Sequence, residues 1–363
     1  MSRKNIIALV LSASMVLVMF AWQGRYGFNL SDEGFLWYGV QRVMLGEVPV
    51  RDFLAYDPGR YYWSAVFMSL WADNGIMSLR AAASIFQFFG LFVGLILVAR
   101  CTNRPSFIYL LLAAVTLLLW MYPRHKLFDI SVSLVLVGAL AYFVELPSIK
   151  RCFILGICVG LAAVFGRNHG IYAAAGSLGV IAAMQIRGGN GLAGIKPVLI
   201  WVTGICIGYL PVLSMAASVD GFASAFWDSI ISLIEFRTTN LSLPVPWPWT
   251  VPFARVTLSE ALRGLLVGML FIAIPASGIL GIVWVLWQNF QKTTVSSTLT
   301  ASIFLILPYV HFAYSRADVN HLAQGIFPFL IACYAIVGQQ LLVVRWVVGV
   351  LILAASMLVM LPI

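Results

Sequence analysis

The residues best able to do chemistry in this chain fall in a few short polar segments. An acidic pair, Asp32 and Glu33, follows the first apolar run. Arg51, Asp52, Asp57 and Arg60 lie further along the same segment, around the turn Asp57-Pro58-Gly59. Three shorter turns carry Arg124, His125 and Lys126 with Asp129 close behind, then Arg167 and His169, then Arg316, Asp318 and His321. A carboxylate within hydrogen-bond distance can take the proton of an attacking hydroxyl. Cationic side chains can hold a phosphate and meet the charge it gains on leaving, guanidinium through two parallel hydrogen bonds. Each group also has a plainer role open to it. Asp32 and Glu33 could be first-turn acids offsetting a helix dipole, an effect of about 0.3–1 kcal/mol. Arg60, Arg124 and Arg316 could pair with Asp57, Asp129 and Asp318. Asp129 could be a metal ligand, a support for Arg124, or an N-cap for the helix that follows. A divalent metal, Mg or Mn, is the candidate cofactor, but no HxxxH or CxxC spacing assigns its ligands.

The elements that must position these residues are membrane helices. The 363 residues are 62% hydrophobic and 10% charged, against about 45–50% and about 25% in soluble domains. Apolar runs of the length that crosses a hydrocarbon core of roughly 30 Å recur along the chain. We read eleven spans, at 6–22, 80–99, 105–122, 127–145, 152–166, 170–186, 197–216, 263–288, 298–314, 322–338 and 346–362. The fold class expected is an all-α, polytopic transmembrane bundle forming one domain over 1–363, with no soluble C-terminal domain. The first run, after Arg3 and Lys4, is too long for a signal core and has no small-residue cleavage site before Gln23, so it reads as an uncleaved span. The five cysteines fall within spans or at cytoplasmic edges, and no disulfide framework is expected.

Charge orients the bundle. With the N-terminus inside, ten basic residues (Arg3, Lys4, Arg100, Arg104, Lys150, Arg151, Arg187, Lys196, Lys292 and Arg345) face the cytoplasm against one acid, Glu145, which accounts for the whole net charge of +9. Basic short inner loops obey the positive-inside rule, so the charge requires no nucleic acid. Two long outer loops remain, 23–78 and 219–263. In the first, Ser31 reads as the N-cap of a surface helix that Gly46 and Pro49 end. A second short apolar stretch, 61–71, also reads as interfacial. In the second loop, apolar residues from Phe222 to Ile234 have helical spacing, and the four prolines of 243–252 stiffen the chain around Trp247 and Trp249. Those two rings fit an aromatic belt at headgroup level better than a sugar platform.

The first loop resembles the GT-C superfamily of polytopic glycosyltransferases that use polyprenyl-phosphate sugars, similar to the dolichyl-phosphate-mannose-dependent type. The resemblance rests on Asp32-Glu33-Gly34, on Pro49-Val50-Arg51-Asp52-Phe53 and on the run from Tyr56 through Asp57, Pro58, Gly59, Arg60, Tyr61 and Tyr62 to Trp63, with Arg80 and Asp129 also fitting. It covers roughly residues 1–130; beyond that the agreement is architectural. It implies Asp32 as the base, Glu33 as second choice, and inversion at the anomeric carbon. The partners it implies are a polyprenyl-phosphate sugar donor, a glycan, lipid or protein acceptor, and membrane lipids. Unlike many GT-C proteins, the chain stops directly after a span. The location expected is a bacterial inner membrane, with the site facing the periplasm. Two alternatives remain: a polymerase or ligase of lipid-linked glycans that depends on the arginines, and a transporter without chemistry, which would favour midplane charges and repeated halves.

Overall fold

The computed structural model describes residues 3–102, 106–187, 194–236 and 243–361. Arg104, assigned above to the cytoplasmic side, lies outside them. The described chain is all-helical, with one isolated bridge between Pro49 and Phe53. Its helices are α1 (Arg3–Gln23), α2 (Glu33–Met44), α3 (Gly59–Leu70), α4 (Ile76–Arg100), α5 (Phe107–Trp120), α6 (Leu127–Glu145), α7 (Ile149–Phe165), α8 (Arg167–Arg187), α9 (Lys196–Gly208), α10 (Leu210–Ser218), α11 (Phe222–Phe236), α12 (Leu258–Phe290), α13 (Ser297–Ser315), α14 (Val319–Gly325), α15 (Phe327–Val337) and α16 (Leu342–Met360). Among the described residues, seven helices are long and apolar enough to cross a membrane, and two bent pairs raise the number to nine. The protein is thus an integral, multi-pass membrane protein.

Two of the expected single spans are broken. α9 and α10 meet at 59°, as do α14 and α15. Pro211 and Pro328 stand in the first turn of the second helix of each pair. Proline lacks the N–H that would continue the ladder, and its ring excludes the carbonyl four residues back. α12 begins earlier than the apolar run implies. Thr257 Oγ1 accepts from Glu260 N–H and Glu260 Oε2 accepts from Thr257 N–H, a capping box that starts the helix at Leu258. α2 likewise starts one residue later than expected. Asp32, not Ser31, is its N-cap residue, and the Asn29 carbonyl takes the N–H groups of Glu33 and Gly34.

α6 runs through the middle, packed against α4, α7, α8, α13, α14 and α15. It has apolar residues on every face because every face is covered. α16 and α1 lie outside, with most of their surface open to lipid. α3 is too short to span, and Tyr62, Val66 and Leu70 form an exposed apolar stripe at helical spacing, as an interfacial helix would.

α7 and α9 approach backbone to backbone. A Cβ at Gly156 would lie 2.2 Å from the Trp201 carbonyl oxygen, and one at Gly208 2.2 Å from that of Ile157. Gly160 and Gly204 meet the same obstruction, so glycines four apart on each helix allow the contact. Gly204→Leu is expected to separate the helices and cost about 1–3 kcal/mol or more. The melting temperature in detergent checks this, and an unchanged value would show the contact to be dispensable.

The two ends of the bundle differ in polarity. At one end Lys4 donates to the Thr102 carbonyl, Arg345 to Thr102 Oγ1, and Glu145 pairs with Arg100 and Arg151. The polar turns of the two long loops gather at the other end.

Candidate functional site

The acidic pair divides at the start of α2. Glu33 points into the bundle and is 4% exposed. Arg80, in the first turns of α4, grips it in a fork, Nε to Oε1 at 2.6 Å and Nη2 to Oε2 at 2.7 Å. The other face of Arg80 donates to the carbonyls of Gly24 and Gly27, both at 2.5 Å. Arg124 closes the same turn by donating to the carbonyls of Gln23, Tyr26 and Gly27, and its Nε stands 3.6 Å from Glu33. Glu33 therefore holds α2 to α4, and Arg124 ties down the end of α1.

A second buried hub forms around Asp129, in the first turn of α6. Arg60 Nη2 donates to Asp129 Oδ1 at 3.0 Å and also to the Phe165 carbonyl at 2.7 Å. His169 Nε2 lies 3.0 Å from Oδ1, and Gln324 Nε2 donates to Oδ2 at 3.0 Å. His169 Nδ1 lies 2.7 Å from the Tyr309 hydroxyl. The tautomer that satisfies both partners carries its proton on Nε2 and accepts the Tyr309 proton at Nδ1. All five side chains are buried. They join the first loop to α6, α8, α13 and α14 and engage both oxygens of Asp129.

The remaining arginines also have partners within the chain. Arg167 N–H donates to Asp57 Oδ2 at 2.9 Å, and its Nε stands 2.8 Å from Oδ1 without hydrogen-bond alignment. Burial pushes the Asp57 carboxyl up, against the pull of Arg167. Arg316 faces Asp318 at 2.8 Å, and His321 donates its backbone N–H to the same carboxylate at 2.8 Å. Burial would raise the Asp318 carboxyl, but the bonds from His321 prevail and hold it below the usual range. Arg51 forks onto Asp52 and reaches the Asp220 carbonyl at 3.2 Å, joining the two long loops.

Asp52 offers a test by pH. The Arg51 bond, then the Val48 N–H, hold its carboxyl down at about 2. A depressed folded-state value contributes stability that is present above the unfolded value, about 3.9, and is lost as pH falls toward 2. The melting temperatures of the parent and Asp52→Asn are therefore expected to differ slightly at pH 6 and to converge between pH 4 and about pH 2. A gap that stays constant across this range would count against the pairing.

Asp32 is different. Its side chain is 37% exposed and, among the described residues, has no arginine partner. Asn29 Nδ2 donates to Asp32 Oδ2 at 3.0 Å while Asn29 Oδ1 accepts from Asp32 N–H, and His125 Nε2 stands 3.6 Å away. Lys126 is half-buried and, among the described residues, its ammonium makes no hydrogen bond or ion pair, though Asp129, Arg60, Asp32 and Asp318 lie within electrostatic reach. His125 and Asn29 line a cavity of about 380 Å3, shared with Tyr26, Tyr122 and Asn320. Thus Asp32 stands beside His125, which lines the cavity, and Lys126 follows His125 in the chain within electrostatic reach of Asp32, while the other sequence candidates pair with neighbouring helices or close their own loops.

Comparisons with family models, curated proteins and solved structures found no match. The site is therefore read from its own geometry. Among the described residues no three His, Cys, Asp or Glu side chains converge on one point. The described residues thus offer no preformed ligand set for a divalent metal. Sequence reasoning left Tyr309 and Gln324 unassigned because both lie on apolar helices far along the chain. The one available signal was an uncharged polar group set among membrane-buried residues. Arg80 was noted, but its grip on Glu33 was not.

Proposed function

We propose that the protein is a membrane glycosyltransferase that moves a sugar from a polyprenyl-phosphate donor to an acceptor hydroxyl of the cell envelope. One observation carries this reading. Among the described residues, the carboxylate of the cluster that no arginine holds, Asp32, is within electrostatic reach of the cation that no carboxylate pairs with, Lys126, and stands 3.6 Å from His125, which lines a cavity. In the proposed step the acceptor oxygen attacks the anomeric carbon and its proton passes to Asp32. The bond from that carbon to the phosphate oxygen breaks, and its electron pair leaves with the polyprenyl phosphate. Lys126 meets the charge that develops there. Asp32 then returns its proton to water. Attack from the side opposite the leaving phosphate inverts the anomeric carbon.

The resemblance of 32–34 and 49–63 to the GT-C superfamily supports the same reading. So does the architecture. α5 and α7, added to the nine candidate spans, would complete eleven. With that count the positive-inside rule favours a cytoplasmic basic end and an outer Asp32 end, and we propose a bacterial inner membrane. The reading that rests on arginines has less support, because Arg51, Arg60, Arg124, Arg167 and Arg316 all have partners within the chain. A transporter is less consistent with ionic groups gathered at the bundle ends. The test is to incubate the purified protein with a panel of polyprenyl-phosphate sugars and an envelope-lipid extract. Polyprenyl phosphate released only with acceptor present, and lost in Asp32→Asn, is expected; no release from any donor would overturn the proposal.

A further inference from the structure

We infer that the cavity beside Asp32 binds an uncharged saccharide and is the acceptor subsite. The acceptor role rests on the transferase reading; the affinity for a neutral sugar does not. Its volume of about 380 Å3 is within the range of roughly 300–1,000 Å3 usual for small-molecule sites. Three separate segments line it: the stretch from Gln23 at the end of α1 to Glu33 at the start of α2, the turn from Tyr122 to His125, and Asn320 on α14. Gly27 in the first stretch has φ +61°, the left-handed region that lets the chain double back there.

The lining is set up for hydroxyls. Among the described residues the side chains of Tyr26, Tyr122 and Asn320 make no hydrogen bond, and His125 has only its 3.6 Å contact to Asp32. Phenol, amide and imidazole groups both donate and accept, as sugar hydroxyls require. The rings of Tyr26, Phe28 and Tyr122 offer apolar faces to a pyranose. The ionic groups of the lining are Glu33 and Arg124, and both are engaged. Arg80 closes Glu33, and Arg124 donates to three backbone carbonyls. A charged ligand would therefore meet no free counter-charge in the lining and would have to break an existing pair. The cavity also connects to the base. Asn29 lines it and fixes Asp32 with two hydrogen bonds, so a sugar bound there presents a hydroxyl next to the carboxylate.

The experiment is saturation-transfer NMR on the full chain in nanodiscs, with cellobiose as neutral probe and glucuronic acid as anionic probe. Saturation transfer to cellobiose and none to glucuronic acid is expected. Asn320→Trp, which fills the cavity, is expected to abolish the cellobiose signal. Tyr26→Ala, at a site 71% exposed where folding is not at risk, is expected to weaken binding about two- to tenfold. Equal transfer to both probes, or cellobiose binding unaltered in both variants, overturns the inference. The two proposals fail separately: a parent protein that cleaves donors but does not bind cellobiose refutes only the subsite. A parent that binds cellobiose but cleaves no donor refutes the transferase and leaves a sugar-binding cavity.

Discussion

Asp32→Asn is expected to lower sugar transfer by about two to four orders of magnitude, the usual contribution of a positioned general base. That equals roughly 2.7–5.4 kcal/mol of transition-state stabilisation. Asparagine has the shape of aspartate and still offers an oxygen to Asn29 Nδ2, but it cannot take a proton at neutral pH. The fold should be indifferent. Asp32 is partly exposed, has no arginine partner among the described residues, and makes no side-chain bond to cap α2, and such positions usually shift stability by less than about 0.5 kcal/mol. A low rate with a normal melting temperature is therefore the expected signature, read as polyprenyl phosphate released per unit time. Full activity in the variant would remove Asp32 from the chemistry. Glu33→Gln makes the contrast, since it would strand Arg80 in a buried position and reduce the amount of folded protein.

Asp129→Ala has the opposite signature. It removes the acceptor shared by Arg60, His169 and Gln324 and leaves the Arg60 guanidinium, only 5% exposed, with the Phe165 carbonyl and the face of the Tyr56 ring but no carboxylate bonded to it. Removing one partner of a buried ion pair costs about 3–5 kcal/mol, because the remaining charge is desolvated without compensation. Replacing both partners by apolar groups is much milder. Arg60→Met with Asp129→Leu is thus expected to recover much of the melting temperature lost in Asp129→Ala. Equal melting temperatures for the parent and Asp129→Ala would show that the hub carries no stability. An unrecovered double variant would show that the hydrogen bonds from His169 and Gln324 matter more than the charge pair.

Much of this was legible in the sequence, and what was not has specific causes. Runs of apolar residues located the helices, since a lipid-facing or fully buried helix needs no polar face. The breaks at Tyr209 and Ile326 were hidden because Pro211 and Pro328 sit in otherwise continuous apolar runs, where proline can kink a span or end one. The polar turns were found, but their division of labour was not. Asp32 and Glu33 are neighbours with opposite environments, and only the position of Arg80 on α4 decides which is buried. Arg60 and Arg124 have the chemistry of phosphate ligands. They are occupied instead by Asp129 and by main-chain carbonyls, partners about seventy to a hundred residues away in sequence. Lys126 gains its proposed role by elimination, from pairings made elsewhere.

The separations between partners also carry a time order. A chain made from its N-terminus contains Glu33 before Arg80 arrives, 47 residues later, so that arginine meets a waiting counter-charge as its helix joins the bundle. Arg60 has no such advantage. Its carboxylate follows 69 residues later, and the amide of Gln324 reaches that carboxylate only after another 195. The Asp129 hub is thus among the last parts of the bundle to close, and Asn320 arrives on the same short helix as Gln324. A nascent chain would carry Asp32 and Lys126 long before the cavity beside His125 gained its last wall, Asn320.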